Sequence, residues 1–323
     1  MNTQISFYSK QSLGDESVRS KVSIVRGENA QKMVEKAVDL IGGVESFVET
    51  NARVFVKPNL GTLKSSETGA TTDPNIVGAV IDLIRRRTND ITIIESDSAA
   101  VDTETIWSYC GYDVLAKEKN VNMLSLSKEP AVLHEGYRLP QILFDDHVLV
   151  NIPKIKTNDL TVVTCALKNL FGLMPTRHRA RYHRVIDNAI VDLNRFFKQN
   201  LVVVDGLIGM EGDGPLAGKP VKMNIILAGD NPVAVDVVVC HLIGVDPEHV
   251  SHIRMAAEVE LGPLKINSIR LLGESVDDVK RTFLLPSTIP FWRRLRYKML
   301  EHSEKPLLKQ ALSMLRWLHK KKD

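Results

Sequence analysis

The run Leu201-Val202-Val203-Val204 contains no polar position. A strand with one wet face alternates apolar with polar residues, so an uninterrupted apolar strand has to be covered on both faces. Arg53 to Val56, Ile91 to Ile94 and His147 to Ile152 read as further short strands of this kind. Between them the period changes from two to nearly four. Met33, Val34, Ala37, Val38 and Ile41 follow a helical spacing after a first strand at Val22 to Arg26. Ile76, Val77, Val80, Ile81 and Ile84 do so after Asp73-Pro74, which reads as an N-cap and first helical position. Strands alternating with helices predict an α/β fold, with a mostly parallel or mixed sheet and helices on both faces.

The rest of the chain continues the alternation. Helices are predicted at Thr103 to Cys110, Thr161 to Phe171 and Val185 to Phe197, and near Pro232 and Pro247. Further strands are predicted at Val121 to Leu126, Lys222 to Ala228 and Ile266 to Leu272. The α/β domain is expected to span 1–285. From 286 to 323 the composition shifts to a basic amphipathic helical extension: Phe291, Trp292, Leu295 and Met299 alternate with Arg293, Arg294, Arg296 and Lys298. Residues 291–323 hold ten Lys and Arg against three Asp and Glu, so the remaining residues sum to −4 within the formal +3. The basic character therefore lies in the tail, and its pattern suits an anionic membrane surface or a packed helix.

Several function classes fall away. With 323 residues, 44% hydrophobic and 25% charged, the chain has the composition of a folded domain rather than of a disordered or fibrous protein. Its three cysteines, Cys110, Cys165 and Cys240, form no CxxC pair, so neither a zinc framework nor an iron–sulfur cluster is expected within this chain. No apolar run has the length of a membrane span, and the first residues lack the pattern of a signal peptide, which together predict a cytoplasmic protein. Nucleic acid is disfavoured as a partner by the −4 body and by the lack of interleaved aromatic and basic residues.

The segment Asn151 to His183 carries the densest chemistry. In extended geometry Lys154, Lys156 and Asn158 share a face. The predicted helix that follows would bring Lys168 onto the same side and aim its free N-terminal amides at an anion. Arg177, His178, Arg179, Arg181, His183 and Arg184 form a basic loop without an acid, which should attract anions. A second group runs from Asp205-Gly206 through Glu211-Gly212-Asp213-Gly214-Pro215 to Gly218, read as a glycine-rich loop beyond the buried strand. Asp205 and Glu211 there, with Asp236 from the apolar run Pro232 to Ile243, are candidate ligands of a divalent metal. Turn chemistry and a structural role for Asp236 are the competing readings.

Several strings occur in order along the chain: Lys57-Pro58-Asn59, Thr72-Asp73-Pro74, Pro153-Lys154-x-Lys156-Thr157, Ala166-Leu167-Lys168-Asn169-Leu170-Phe171-Gly172, Val204-Asp205-Gly206, Glu211-Gly212-x-Gly214-Pro215 and Ala234-Val235-Asp236. This series, over roughly residues 50–262, resembles domain of unknown function 362. Members of that family often carry an adjoining ferredoxin-like module with CxxCxxC motifs, which this chain lacks, so the resemblance implies an iron–sulfur protein as a partner. The family's usual Lys-Thr-His stands here as Lys156-Thr157-Asn158, leaving His183 as the nearest titratable substitute. A looser similarity of layout links the chain to the nickel-pincer lactate racemases. It would make Lys168 or Lys154 a cofactor-contacting residue, though their histidine set is not visible.

The expected function is an enzyme acting on a small anionic organic molecule. Lys57, Asn59, Lys154, Lys156, Asn158, Asn169, Arg177 and Arg181 would bind it, and Lys168, His183 and Asp205 would be catalytic. The alternative is a non-catalytic metabolite-binding or electron-transfer partner using the same basic pocket. Neither reading specifies the oligomeric state.

Overall fold

A computed structural model describes residues 19–98, 101–175 and 179–287. Its strands in chain order are β1 (Lys21–Arg26), β2 (Val54–Pro58), β3 (Ile91–Glu95), β4 (Asn122–Ser125), β5 (Ala131–His134), β6 (Tyr137–Pro140), β7 (Val148–Ile152), β8 (Lys154–Asn158), β9 (Val162–Thr164), β10 (Leu201–Glu211), β11 (Lys219–Gly229) and β12 (Arg270–Gly273). The helices are α1 (Ala30–Leu40), α2 (Pro74–Ile84), α3 (Thr103–Tyr109), α4 (Tyr112–Lys119), α5 (Ala166–Asn169), α6 (Ile186–Phe196), α7 (Pro232–Leu242), α8 (Ser251–Glu258) and α9 (Val276–Val279).

Ten strands form one sheet, ordered β12-β1-β11-β10-β7-β2-β3-β4, with β8 paired to β10 and β9 to β8. The block β10-β7-β2-β3-β4 is parallel, whereas β11 runs antiparallel to both β10 and β1. This is the mixed α/β sheet that the alternating pattern predicts. Its uninterrupted apolar strands divide their side chains between two cores. Val54, Val56, Ile91, Ile93, Val148, Val150, Leu201 and Val203 face the layer of α1 to α4, while Phe55, Ile94, Leu149, Val202 and Val204 face α5 to α8. Burying one Val or Leu side chain fully stabilises by about 1.5–3 kcal/mol.

The helix starts follow local chemistry. Asp73 caps α2 by accepting the Asn75 amide at 2.8 Å, with Pro74 in the first turn. Asn231 caps α7 by accepting from Ala234, followed by Pro232. Proline costs nothing there, because the first helical amides have no partner within the helix.

Two predicted elements need correcting. The helix expected from Thr161 to Phe171 begins only at Ala166, and Val162–Thr164 is a strand hairpinned onto β8. All four residues from Thr161 to Thr164 are β-branched at buried sites, and Val163 and Val162 pair with Thr157 and Asn158 across that hairpin. The loop expected over Asp205 to Gly218 is strand for half its length, since β10 continues to Glu211 against the equally long β11. The β5–β6 hairpin and α4 have no counterpart in the prediction. Arg177, residues 1–18 and nearly all of the extension, 288–323, lie outside the described residues.

Candidate functional site

The parallel strands β2, β3, β7 and β10 end at one edge of the sheet, and their carboxyl ends carry the polar core of the molecule. Lys57, at the end of β2, donates to Glu95 Oε2 at 2.9 Å, at the end of β3. Lys154, just past β7, sits in register with Asp205 on β10 and donates to its Oδ2 at 2.7 Å. Both pairs are enclosed: Lys57 and Asp205 are 0% exposed and Lys154 1%. The carboxylates are tied further. Asp205 accepts the amides of Asp73 and Leu207, and Glu95 those of Ser96 and Leu60. Buried ions need such full sets of partners, because desolvation alone costs several kcal/mol per charge.

Lys156 is different. Its ammonium donates to Asn59 Oδ1 at 2.7 Å and to the Ala70 carbonyl at 2.8 Å, and among the described residues no carboxylate pairs with it. Burial, with the charges of Lys168 and Lys154 next in importance, brings its pKa down to about 7. Lys168 is half-buried on α5, and its Nζ has no acceptor among the described residues. The nitrogen stands 5.9 Å from the centre of the Phe171 ring. Burial and then Arg179 bring this lysine down to about 8, with Asp159 acting the other way.

Phe171 also stacks on His183, ring centres 5.8 Å apart, and burial with Lys168 and Arg179 depresses the imidazole's pKa. Arg179 reaches back to the Asp97 carbonyl at 2.6 Å and toward Ser96 Oγ at 3.4 Å. Next to Phe171, Gly172 lies so near the first ion pair that a Cβ would stand 2.8 Å from Lys57 Nζ and 2.9 Å from Glu95 Oε1. A side chain at 172 would force the pair apart.

From Lys156 a row of amides crosses the core. Asn59 Nδ2 donates to Asn169 Oδ1 (2.8 Å), Asn169 to Asn151 (2.7 Å), Asn151 to Gln199 (2.6 Å) and Gln199 to Asn194 (2.6 Å). Asn194 closes the row on the carbonyls of Leu167 and Ile190. Each amide accepts on one side and donates on the other, so the row has one direction.

The lysines at 57, 154, 156 and 168, with Asn59, Asn169 and Asp205, thus belong to one connected region, as does His183 through Phe171. Asn158 does not bind outward: its Oδ1 accepts the amides of Leu160 and Thr161, and its Nδ2 donates to Thr164, holding the β8–β9 turn. There Val162 sits at φ +69°, a strained conformation for a β-branched residue. Arg181 turns away onto Tyr182, 4.7 Å over its ring. The three carboxylates expected to share a metal are apart. Asp205 serves Lys154, Glu211 accepts the Leu284 amide at 2.9 Å, and Asp236 accepts the amides of Ala166 and Leu167 at 2.7 and 3.1 Å. Among the described residues no three His, Cys, Asp or Glu side chains are grouped to hold a metal ion. Asp236 also occupies the start of α5, so those amides are not open to an external anion.

Sequence reasoning missed Glu95, Asn151, Asn194 and Gln199, and it placed Arg179 in the basic loop without singling it out. Glu95 closes an apolar strand, which is a legible signal for a paired buried acid. The amides at 194 and 199 carry no such signal.

The fold and this region define an α/β protein with a buried, lysine-rich polar cluster at the carboxyl ends of its parallel strands, the edge at which open sheets commonly bind ligands. The family model described as domain of unknown function (DUF362) matches residues 54–241, and the chain belongs to that family. A thylakoid-associated protein of Synechocystis sp. is 27% identical over 236 residues, 69% of this chain and 72% of the relative. Among solved structures, the lactate racemase apoprotein from Thermoanaerobacterium thermosaccharolyticum has a TM-score of 0.37 at 10% identity, covering 77% of this chain and 59% of that one. A Thermotoga maritima protein has a TM-score of 0.34 at 13% identity, covering 61% and 55%. The chain spans less than two thirds of either solved protein. No helix among the described residues is long and apolar enough to cross a membrane.

Proposed function

We propose that the chain is an enzyme acting on a small anionic organic molecule, held where Lys168, Arg179 and His183 meet beside Phe171. One observation carries this reading: Lys168, half-buried and near two other cations, has no acceptor among the described residues. Like charges are costly together in a partly dry site, and an anion between them removes that cost. Lys57 and Lys154 act as scaffold in this reading, since Glu95 and Asp205 already neutralise them. His183 is the proton-transfer group, and Asp205 positions Lys154 and the start of α2.

The test is anion binding by the full chain, followed by calorimetry with a panel of small carboxylates and phosphates. The Lys168→Met protein is expected to bind at least about tenfold more weakly, equivalent to about 1.4 kcal/mol, while its melting temperature stays near that of the wild type. Equal affinity would remove Lys168 from the site. Affinity should also fall as pH rises through about 8, where Lys168 loses its proton.

A second reading concerns location. The basic amphipathic pattern of 291–323 supports peripheral contact with an anionic membrane, and the relation to a protein described as thylakoid-associated favours it.

A further inference from the structure

The surroundings of Lys168 differ from those of a lysine that serves only as a charge. A binding lysine works best fully protonated, and a nearby carboxylate keeps it so. Lys168 has Arg179, His183 and Lys156 around it, and among the described residues Asp159 is the acid that acts the other way. It lies against the apolar face of Phe171, and no hydrogen bond among the described residues restrains its Nζ. Crowding by cations and an apolar wall are the two devices that free an amine for attack at neutral pH.

Resting on the reading above, we propose that Lys168 is a nucleophile that forms an imine with the carbonyl carbon of a small oxo acid, whose carboxylate Arg179 holds. The Arg179 guanidinium spends one N–H on the Asp97 carbonyl and another on Ser96, which leaves donors for a carboxylate. His183, on the same phenyl ring, carries the protons. Neutral Nζ attacks the carbonyl carbon, the N–C bond forms and the carbonyl π electrons move to oxygen. The imidazole takes the proton that nitrogen sheds and passes it to that oxygen, giving a carbinolamine. The C–O bond then breaks, the departing hydroxyl takes a second proton through His183 and leaves as water. The iminium ion retains the positive charge of the one proton consumed. A lysine at about 8 has a reactive neutral fraction at pH 7 that an ordinary surface lysine lacks.

Incubating the full-length protein with pyruvate or 2-oxoglutarate and sodium cyanoborohydride traps the iminium as a stable secondary amine. Intact mass should show one adduct, and peptide mapping should place it on Lys168. Lys168→Arg, which keeps charge and bulk, should lose the adduct, and His183→Gln should slow its appearance. Adducts spread evenly over surface lysines, and unchanged in Lys168→Arg, would overturn the proposal. So would absence of an adduct in a wild-type protein that still binds either oxo acid in equilibrium dialysis, and in that case the anion-binding reading stands. Failure of the wild type to bind any of the small anions would overturn both.

Discussion

Lys154 and Asp205 are each useless to water and indispensable to each other. Both are essentially unexposed and joined at 2.7 Å, so removing one leaves the other as a bare charge in the core. Lys154→Met should cost about 3–5 kcal/mol in urea unfolding, and adding Asp205→Asn to it should recover part of that loss. Additive costs in the double variant would show that the two charges do not depend on each other. The pairing of Lys154 with a carboxylate was legible, since two lysines alternating along one strand need a counter-charge. Which carboxylate it would be was not: that depends on the register of β8 against β10, which sets Asp205 beside Lys154 and which no local pattern encodes.

At the scale of the element, α5 matters most and is the least self-sufficient. It has four helical residues, too few to be stable by itself, and Asp236 on α7 holds its first amides. Burial pushes that carboxyl up to about 6. Asp236→Ala should cost about 2–4 kcal/mol by leaving two buried amides unpaired, whereas Asp236→Asn, which keeps one acceptor oxygen, should cost about half as much. Both would be read from denaturant midpoints, and equal costs would mean that the charge, not the acceptor geometry, holds α5. Helices opened by Asp73-Pro74 and Asn231-Pro232 were visible because their start signals are local. The start of α5 was not, because its cap is supplied from 70 positions away in the chain. Likewise the strand β10 outruns its apolar stretch because β11 gives it a partner, which alternation and glycine content cannot foretell.

For the whole molecule, the lysine region makes stability depend on pH in a particular sense. Lys156 stands at about 7 in the folded chain and near 10.5 when unfolded. Between these values the unfolded chain binds more protons, so the folded state gains as pH rises from 7 toward 9. The unfolding free energy of the wild type relative to Lys156→Met should therefore climb across that window, and a saturating anion should flatten the climb. A difference independent of pH would remove Lys156 from the buried cluster. At the same scale, anionic vesicles should carry the full chain upward in a flotation gradient and leave behind a chain truncated before residue 286. Absence of flotation by either would eliminate the membrane reading.

The amide row has a consequence for how rigidly Lys156 is tied to the far side of the molecule. Lys156, as an ammonium, can only give hydrogen bonds, and the Leu167 and Ile190 carbonyls at the other end can only receive them. With the two ends so constrained, the five side chains between them admit a single arrangement, like a line of arrows pinned at head and tail. Loss of the Lys156 proton unpins the tail, because a neutral amine can also accept. The line keeps its direction all the same, because the amide nitrogens of Asn151, Asn169 and Gln199 also face backbone carbonyls and Asn194 is held at the head, so the row acts as a fixed strut between the lysine and α6.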